Sequence, residues 1–325
     1  MFAPSTFAVA LIMTILSTIC WGSWANTFKA TKGYRFELFY WDYAVGIFLI
    51  SVAMALTMGS ARGGETAFVA NLHSGAPLNL LYALIGGFIF NIANVLLVAG
   101  IEIVGLAVAF PIAIGIALVE GVMLSYAIQP KGSGVLLGAG VAMALLAVIL
   151  IGLAYGALGG SRVVSRKGIF VCLVSGLLMG SFAPFITQAM TAARPLTPYT
   201  VAVFFTLGAF LCCFVFNTIL MRKPIVGAPV TFAGYRTAPV SYHALGLLGG
   251  AIWGIGTVFN FVAASLTGVA ISYAIGQASP MIAAFWGVAA FHEFRGSSAK
   301  ARVYLGAMFA AYLVALALIA RAYKG

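Results

Sequence analysis

Polar side chains recur at helical spacing inside long apolar stretches of this sequence. Asn91 and Asn94 lie three residues apart, and therefore on the same face of a helix. A second stretch carries Trp253, Thr257 and Asn260 at positions i, i+4 and i+7. Amides both donate and accept hydrogen bonds, and a tryptophan face stacks on apolar CH groups. The two stripes therefore predict a cavity lining for an uncharged, hydroxyl-rich small molecule.

A third stretch repeats the pattern with Tyr273, Gln277 and Pro280, and Asn26 ends the first stretch close enough to reach the same cavity. By internal alignment Asn94 and Thr257 are equivalent, so we expect the stripes to face each other. The alternative is that each amide only bonds a neighbouring helix, a role worth about 0.6–2 kcal/mol. For the set as a whole, a cavity is favoured.

Acidic residues are the candidates for proton coupling or gating. Glu120 alone among the acids is predicted to lie well inside a helix, where an unpaired carboxyl favours its protonated form, unless it reaches water or a loop lysine. Asp42 is either a gate or proton carrier, or part of a surface charge network with Glu37. Glu293 and Arg295 would form a salt-bridged gate or anchor the last helix.

Composition requires these residues to lie on membrane helices. The chain has 325 residues, of which 63% are hydrophobic and 7% charged, against roughly 25% charged in soluble domains. Its apolar runs approach or exceed the roughly 20 residues that cross a bilayer as helix, which predicts an all-α membrane protein and excludes a barrel. The ten predicted spans are 7–26, 40–58, 78–101, 104–128, 135–154, 168–190, 198–221, 244–264, 269–291 and 303–323.

The two halves of the chain resemble each other. Gly-Ser-Trp-Ala at 22–25 recurs as Gly-Ser-Phe-Ala at 180–183. Five spans per half is an odd number, so the second half enters the membrane from the opposite side. This predicts a 5+5 inverted repeat, an architecture typical of transporters that expose one central site alternately to each side. The predicted repeats are residues 1–160 and 161–325, within one membrane domain.

Glycine and proline mark turns and weak points at matching places. Gly105 and Gly268 lie at equivalent positions between the third and fourth spans of each half. Tight turns there would hold each helix pair as a rigid antiparallel hairpin. Pro111 removes a backbone donor within the fourth predicted helix, and Pro280 removes one within the ninth. Each predicts a hinge or a packing kink in its helix.

Basic residues are distributed by side of the membrane. Twelve of the 17 Lys and Arg residues fall on one side, so the positive-inside rule predicts that side to be cytoplasmic and both termini to be extracytoplasmic. The net charge of +11 is thus a topology signal, and nucleic acid is not an expected partner. The cytoplasmic group is Lys29, Lys32, Arg35, Arg162, Arg166, Lys167, Arg222, Lys223, Arg236, Arg295, Lys300 and Arg302, and the other is Arg62, Lys131, Arg194, Arg321 and Lys324.

Enzyme, metal and cofactor motifs do not fit this sequence. The four cysteines fall inside predicted helices without a CxxC pair or a His/Cys cluster, so no metal, disulfide or cofactor is expected. Three histidines and six acids assemble no convergent cluster of nucleophile and base. Gly134 and Gly138 would let the fifth helix approach another helix, including one of a second protomer in a homodimer.

Several motifs resemble those of known transporters. The fold pattern looks like the drug/metabolite transporter superfamily along essentially the whole chain. A more specific resemblance is to the bacterial glucose/ribose porter branch, through segments 22–27, 36–43 and 105–112. Trp-Gly at 286–287 and Glu-Phe-Arg-Gly at 293–296 also fit that branch, and these two motifs are similar to L-rhamnose–proton symporters as well. Tyr40-x-Asp42-Tyr43 is similar to plant ureide permeases, which carry a long insertion between the halves that this chain lacks.

These resemblances imply a carrier in the bacterial cytoplasmic membrane. Our main expectation is a secondary active importer of a small neutral sugar (hexose, pentose or deoxyhexose), coupled to protons. The alternative is a permease for ureides, nucleobases or another small metabolite, which a flat aromatic sandwich in the cavity would favour. A drug exporter fits less well, because such cavities tend to be more apolar.

Overall fold

The apolar runs all form helices. The computed structural model describes residues 1–159 and 165–323, which contain no strand. Ten helices in this part of the chain are long and apolar enough to cross a membrane. They are α1 (Phe7–Lys29), α2 (Phe36–Leu56), α3 (Pro77–Val104), α4 (Leu106–Ile128), α5 (Gly134–Gly156), α6 (Arg166–Thr191), α7 (Pro198–Arg222), α8 (Val240–Thr267), α9 (Val269–Ala289) and α10 (Ala299–Ala322). The all-α, multi-pass prediction is confirmed.

Helix ends differ from the predicted ends by a few residues, mostly because polar first turns were excluded from the apolar runs. The helix α2 begins at Phe36 and takes in Glu37, and α8 begins at Val240, directly after a proline. Serine caps start two other helices. The Oγ atoms of Ser133 and Ser298 accept hydrogen bonds from backbone N–H groups in the first turns of α5 and α10.

Single glycines join α3 to α4 and α8 to α9, as the sequence predicts. Gly105 has φ +76° and Gly268 has φ +84°, both in the region that side chains with a Cβ rarely adopt. One residue in this conformation reverses the chain direction between two long helices. Each turn is therefore conformationally specified by its glycine.

Proline interrupts two helices. In α4 a single π-helical turn spans Phe110–Ile114, where Pro111 supplies no backbone donor for regular α-helical bonding. In α9 the helix stops at Gly276 and resumes at Ser279, with Pro280 in the first turn of the second piece. Gln277 lies in that interruption. The helix breaks that the sequence predicts near these prolines are thus present.

The chain forms two compact units, and each contains segments from both sequence halves. The first unit comprises 1–91 and 185–266, and the second comprises 92–184 and 267–325. In the first unit α2 packs on α7, and in the second α4 packs on α9 and α5 packs on α10. These are the helix pairs that the predicted repeat makes equivalent. The predicted boundary at 160/161 and the basic residues Arg162 and Lys324 lie outside the described residues.

Close backbone contact builds the core of the first unit. A Cβ at Gly87 of α3 would collide with the main chain of Phe205 in α7, and one at Gly208 with that of Leu84. The two helices therefore pack at main-chain distance. This approach brings the Phe205 ring, which is fully buried, into contact with the side chains of α3 and α8.

Candidate functional site

Nearly parallel aromatic rings surround Trp253 of α8 in the first unit. The ring of Phe90 lies 4.5 Å from it at 24°, and the ring of Trp21 lies 5.9 Å from it at 15°. Phe205 adds a third ring at 6.3 Å and 18°. Such offset, near-parallel stacking is the preferred geometry of aromatic pairs. We call these four residues the aromatic stack.

A hydrogen-bonded pair borders the aromatic stack. The Nε1 group of Trp21 donates to Thr257 Oγ1 at 3.1 Å, and Thr257 donates to the main-chain oxygen of Trp253 at 3.1 Å. Asn260 is buried one turn further along α8. The predicted stripe on α8 is therefore one surface, with an indole from α1 docked against it.

Asn91 contributes a buried amide from α3. Its Oδ1 atom accepts from the thiol of Cys213 at 3.6 Å. Its Nδ2 group is buried without an oxygen or nitrogen acceptor among the described residues, and it lies beside the thiols of Cys212 and Cys213. A buried donor without a strong acceptor is costly, and it is ready to bind a carbonyl oxygen. Asn26 is half-buried near the end of α1.

The remaining predicted solute contacts lie in the second unit. Tyr273 is fully buried, and its hydroxyl lies 3.2 Å from the main-chain oxygens of both Ala117 in α4 and Met179 in α6. Asn94 and Gln277 are also buried there. The hydroxyl of Tyr273 thus lies within hydrogen-bond distance of the backbone of two helices.

Asp42 of α2 is the centre of a buried polar cluster in the first unit. The Tyr235 hydroxyl donates to Asp42 Oδ1 at 2.6 Å, and His243 Nδ1 lies 2.8 Å from Oδ2. The rings of Tyr235 and His243 meet edge to face at 4.6 Å. Asp42 is only 6% exposed, so these two partners replace the water that an ionised carboxylate requires.

The pKa values of two tyrosines outside the spanning segments are raised near this carboxylate. Burial, reinforced by the negative charge of Asp42, raises the pKa of Tyr34 to about 12. Burial also raises the pKa of Tyr235, and its hydrogen bond to Asp42 adds to the shift because the carboxylate accepts the phenolic proton. Both tyrosines remain neutral across the physiological pH range.

The neighbouring Glu37 has a different environment. Its Oε1 atom pairs with Arg35 Nη2 at 2.6 Å, while its main-chain oxygen accepts from Asn217 Nδ2 at 2.9 Å. Arg35 also donates to the main-chain oxygen of Val226 at 3.2 Å. This network ties the start of α2 to α7 and to the segment that follows it, which makes it structural.

The other two predicted acids lie in the second unit. Glu120 Oε1 accepts from Ser181 Oγ of α6 at 3.0 Å. Glu293 Oε2 accepts from the hydroxyl of Tyr155 in α5 at 2.9 Å. Each predicted gating or coupling acid is therefore held by a hydroxyl group from another helix. Within the described ranges, no three His, Cys, Asp or Glu side chains converge as metal ligands.

Sequence reasoning missed Trp21, Tyr235, His243, Tyr155 and Ser181 as partners in these sites. For His243 a signal existed, because an ionisable residue at the start of a spanning helix usually has a partner. Tyr235 lies in the short helix Phe232–Arg236 of a long connection, and its pairing with Asp42 spans 193 positions. Nothing in local spacing reports a contact of that range.

Comparison with known proteins identifies the family. The ureide permease family model matches residues 158–322, which is half of the chain. The chain belongs to the ureide permease family. It is 22% identical to Ureide permease 4 of Arabidopsis thaliana over 98% of each chain, and 23% identical to Ureide permease 1 over 95% of this chain and 96% of that one. A protein of known crystal structure superposes with a TM-score of 0.67 at 17% identity, covering 97% of this chain and 98% of that one, which indicates a shared fold.

Membership of the ureide permease family corrects the main expectation from the sequence. A sugar importer is wrong, because the curated relatives that match nearly the whole chain carry the ureide permease name. The error arose from reading the amides as partners for sugar hydroxyls, although an amide pairs equally well with another amide. The motif Tyr40-x-Asp42-Tyr43 was the more informative resemblance.

Proposed function

We propose that this chain is a transporter of a small planar solute rich in amide groups, of the ureide or nucleobase class. The observation that carries the proposal is the aromatic stack in the first unit, together with membership of the ureide permease family. No catalytic activity is part of the proposal, since its relatives are named as permeases.

The chemistry of the aromatic stack suits a flat solute better than a sugar. A planar amide stacks on an aromatic face over its whole area, whereas a puckered sugar ring contacts such a face only through its CH groups. Beside the rings, Asn91 offers a buried N–H group and Thr257 a hydroxyl. In this conformation the rings of the aromatic stack pack on one another. A bound solute would therefore separate two of these rings and stack on one of them.

Alternating access is the proposed mode of transport. We infer a 5+5 inverted repeat from the sequence, and the packing of α2 on α7, α4 on α9 and α5 on α10 supports it. Such repeats let a central site open to each side in turn. The charge distribution supports an orientation with both termini outside the cytoplasm, and the bacterial cytoplasmic membrane is the proposed location. The exposed glycines at 134 and 138 of α5 are a proposed contact to a second protomer.

A proton is the proposed coupling ion, and Asp42 is our first candidate for its carrier. It is the acid whose two oxygens are each contacted by a titratable side chain, Tyr235 and His243. Glu120 and Glu293 are the other candidates, each held by one hydroxyl group.

Uptake into proteoliposomes tests the solute class. We expect labelled allantoin, uracil or xanthine to accumulate under an inward proton gradient, while a panel of hexoses and pentoses neither accumulates nor competes. Trp253→Leu and Asn91→Leu should abolish uptake of the same solutes. Trp286→Phe is the matched control, because Trp286 lies in the second unit. Full activity of Trp253→Leu would refute a role for the aromatic stack.

Exchange and accumulation separate binding from coupling. A variant of the coupling acid should still exchange labelled for unlabelled solute, yet lose accumulation driven by the pH gradient. We expect this pattern for Asp42→Asn, with Glu120→Gln and Glu293→Gln measured in parallel. Concentrative uptake at the parent level by Asp42→Asn would exclude Asp42 as the proton carrier. Whichever of the other two variants lost concentrative uptake would then identify the carrier.

A further inference from the structure

A groove on the surface of the second unit lies between side chains of α4, α5 and α6. It has a volume of about 530 Å³, and Glu120, Met123, Leu124, Leu145 and Leu177 contribute to its lining. Met123 is 65% exposed and Leu177 52% exposed. Large apolar side chains exposed on spanning helices contact acyl chains, so molecules dissolved in the bilayer can enter this groove directly. Its volume is within the roughly 300–1,000 Å³ range of small-molecule sites.

Of the described residues that line the groove, Glu120 alone is charged. Its Oε1 atom shares the hydroxyl of Ser181 with the main-chain oxygen of Leu177, which lies 2.7 Å from that hydroxyl. One hydroxyl proton cannot serve both acceptors fully. Among the described residues, Glu120 Oε2 has no hydrogen-bond partner, although it is shielded from solvent. The carboxyl group is thus only partly satisfied by the protein.

The main chain of α6 leaves room for this carboxyl group. A Cβ at residue 180 would lie 2.7 Å from Glu120 Oε2 and 2.8 Å from Glu120 Cβ, so only Gly180 permits the observed position. The side chain rests against bare backbone at the wall of the groove. Glu120 is therefore positioned by α6, which makes its orientation a feature of the fold.

We propose that this groove binds a lipophilic amine, with its apolar body among the leucines and its ammonium group paired with Glu120. Charge complementarity selects this class. An acid in hydrocarbon without a cationic partner among the described residues is costly, and an ammonium group that arrives from the lipid phase neutralises it. A neutral alkyl alcohol fits the same apolar walls but cannot neutralise the carboxylate. The site is separate from the aromatic stack, and the proposal stands independently of the transported solute.

Native mass spectrometry of the purified protein, titrated with dodecylamine and with dodecanol, tests the proposal. We expect a saturable one-to-one dodecylamine adduct, with dodecanol bound about tenfold more weakly because it cannot pair with the carboxylate, a difference of about 1.4 kcal/mol. Glu120→Gln should weaken dodecylamine binding by the same factor. Leu177→Trp should block both ligands by filling the groove without touching the carboxyl group.

Controls keep each outcome decisive. Glu102→Gln removes an exposed acid at the end of α3 and should bind dodecylamine like the parent. Dicyclohexylcarbodiimide should label Glu120 in the parent, and dodecylamine should protect it, as read by peptide mass spectrometry even if a variant fails to fold. Equal binding of dodecanol, or parent-level dodecylamine binding by folded Glu120→Gln, would overturn the proposal, and so would the absence of a saturable adduct.

Discussion

The hydrogen bonds at Asp42 allow a quantitative prediction. Asp42 accepts from Tyr235 at 2.6 Å and lies 2.8 Å from His243 Nδ1, and the whole carboxyl group is buried. A hydrogen bond to a charged group contributes about 1.5–3 kcal/mol net. Tyr235→Phe removes one such bond and leaves the ring in place. We therefore expect the free energy of unfolding to fall by about 1.5–3 kcal/mol.

Asp42→Asn should lower the free energy of unfolding more than Tyr235→Phe does. An asparagine offers one acceptor oxygen in place of two and carries no negative charge, so the charge-assisted character of both contacts is lost. The expected loss is about 3 kcal/mol, summed over the two contacts. The double variant with Tyr235→Phe should cost less than the sum of the single variants, with a coupling energy of about 1–3 kcal/mol.

Thermal unfolding of the detergent-solubilised protein measures these effects. A loss of this size should lower the unfolding temperature by several degrees, on the order of 2–4 °C per kcal/mol for a mid-sized domain. Tyr242→Phe is the matched control, because the Tyr242 ring packs on Tyr34 and this variant keeps that contact. Strict additivity of Asp42→Asn and Tyr235→Phe would contradict the pairing on which the prediction rests.

Three further outcomes follow from features of the fold. Tyr273→Phe should lower the free energy of unfolding by about 1 kcal/mol, because the hydroxyl no longer bonds to a main-chain oxygen. The KM for solute should stay unchanged, and a raised KM would instead indicate that Tyr273 contacts the solute. Gly268→Ala should lower the free energy of unfolding by about 1–2 kcal/mol, because alanine is strained at φ +84°. Gly306→Ala is the control: no atom lies near its added Cβ, so the unfolding temperature should stay the same or rise. The raised pKa of Tyr235 means that the unfolded state releases a proton near pH 10 that the folded state retains. Stability should therefore fall as the pH rises above about 10, and Tyr235→Phe should fall less steeply in an alkaline titration of the unfolding temperature.

Hydrophobic runs and special backbone positions were readable from the sequence because each depends on local physics. A helix in hydrocarbon must satisfy its own backbone, so a run of about 20 apolar residues specifies a spanning helix. Gly105 and Gly268 were recognisable because a reversal within one residue requires positive φ. The stripe of Trp253 and Thr257 followed from helical periodicity alone.

Partner identity was not readable, because it depends on which helices pack together. The indole of Trp21 reaches Thr257 across 236 positions, and His243 reaches Asp42 across 201. Solute identity failed for a related reason. A count of amides does not reveal that parallel rings accompany them, and the proposal of a flat solute rests on those rings.

The interleaving of the two compact units has a consequence for biosynthesis. Because α5 packs on α10 and α4 on α9, the second unit cannot be completed until the last helix of the chain has left the ribosome. Helices inserted early must wait in the bilayer without their eventual neighbours. A nascent chain halted after five spans would hold unfinished pieces of both units, and the second unit is completed only after α10 has been inserted.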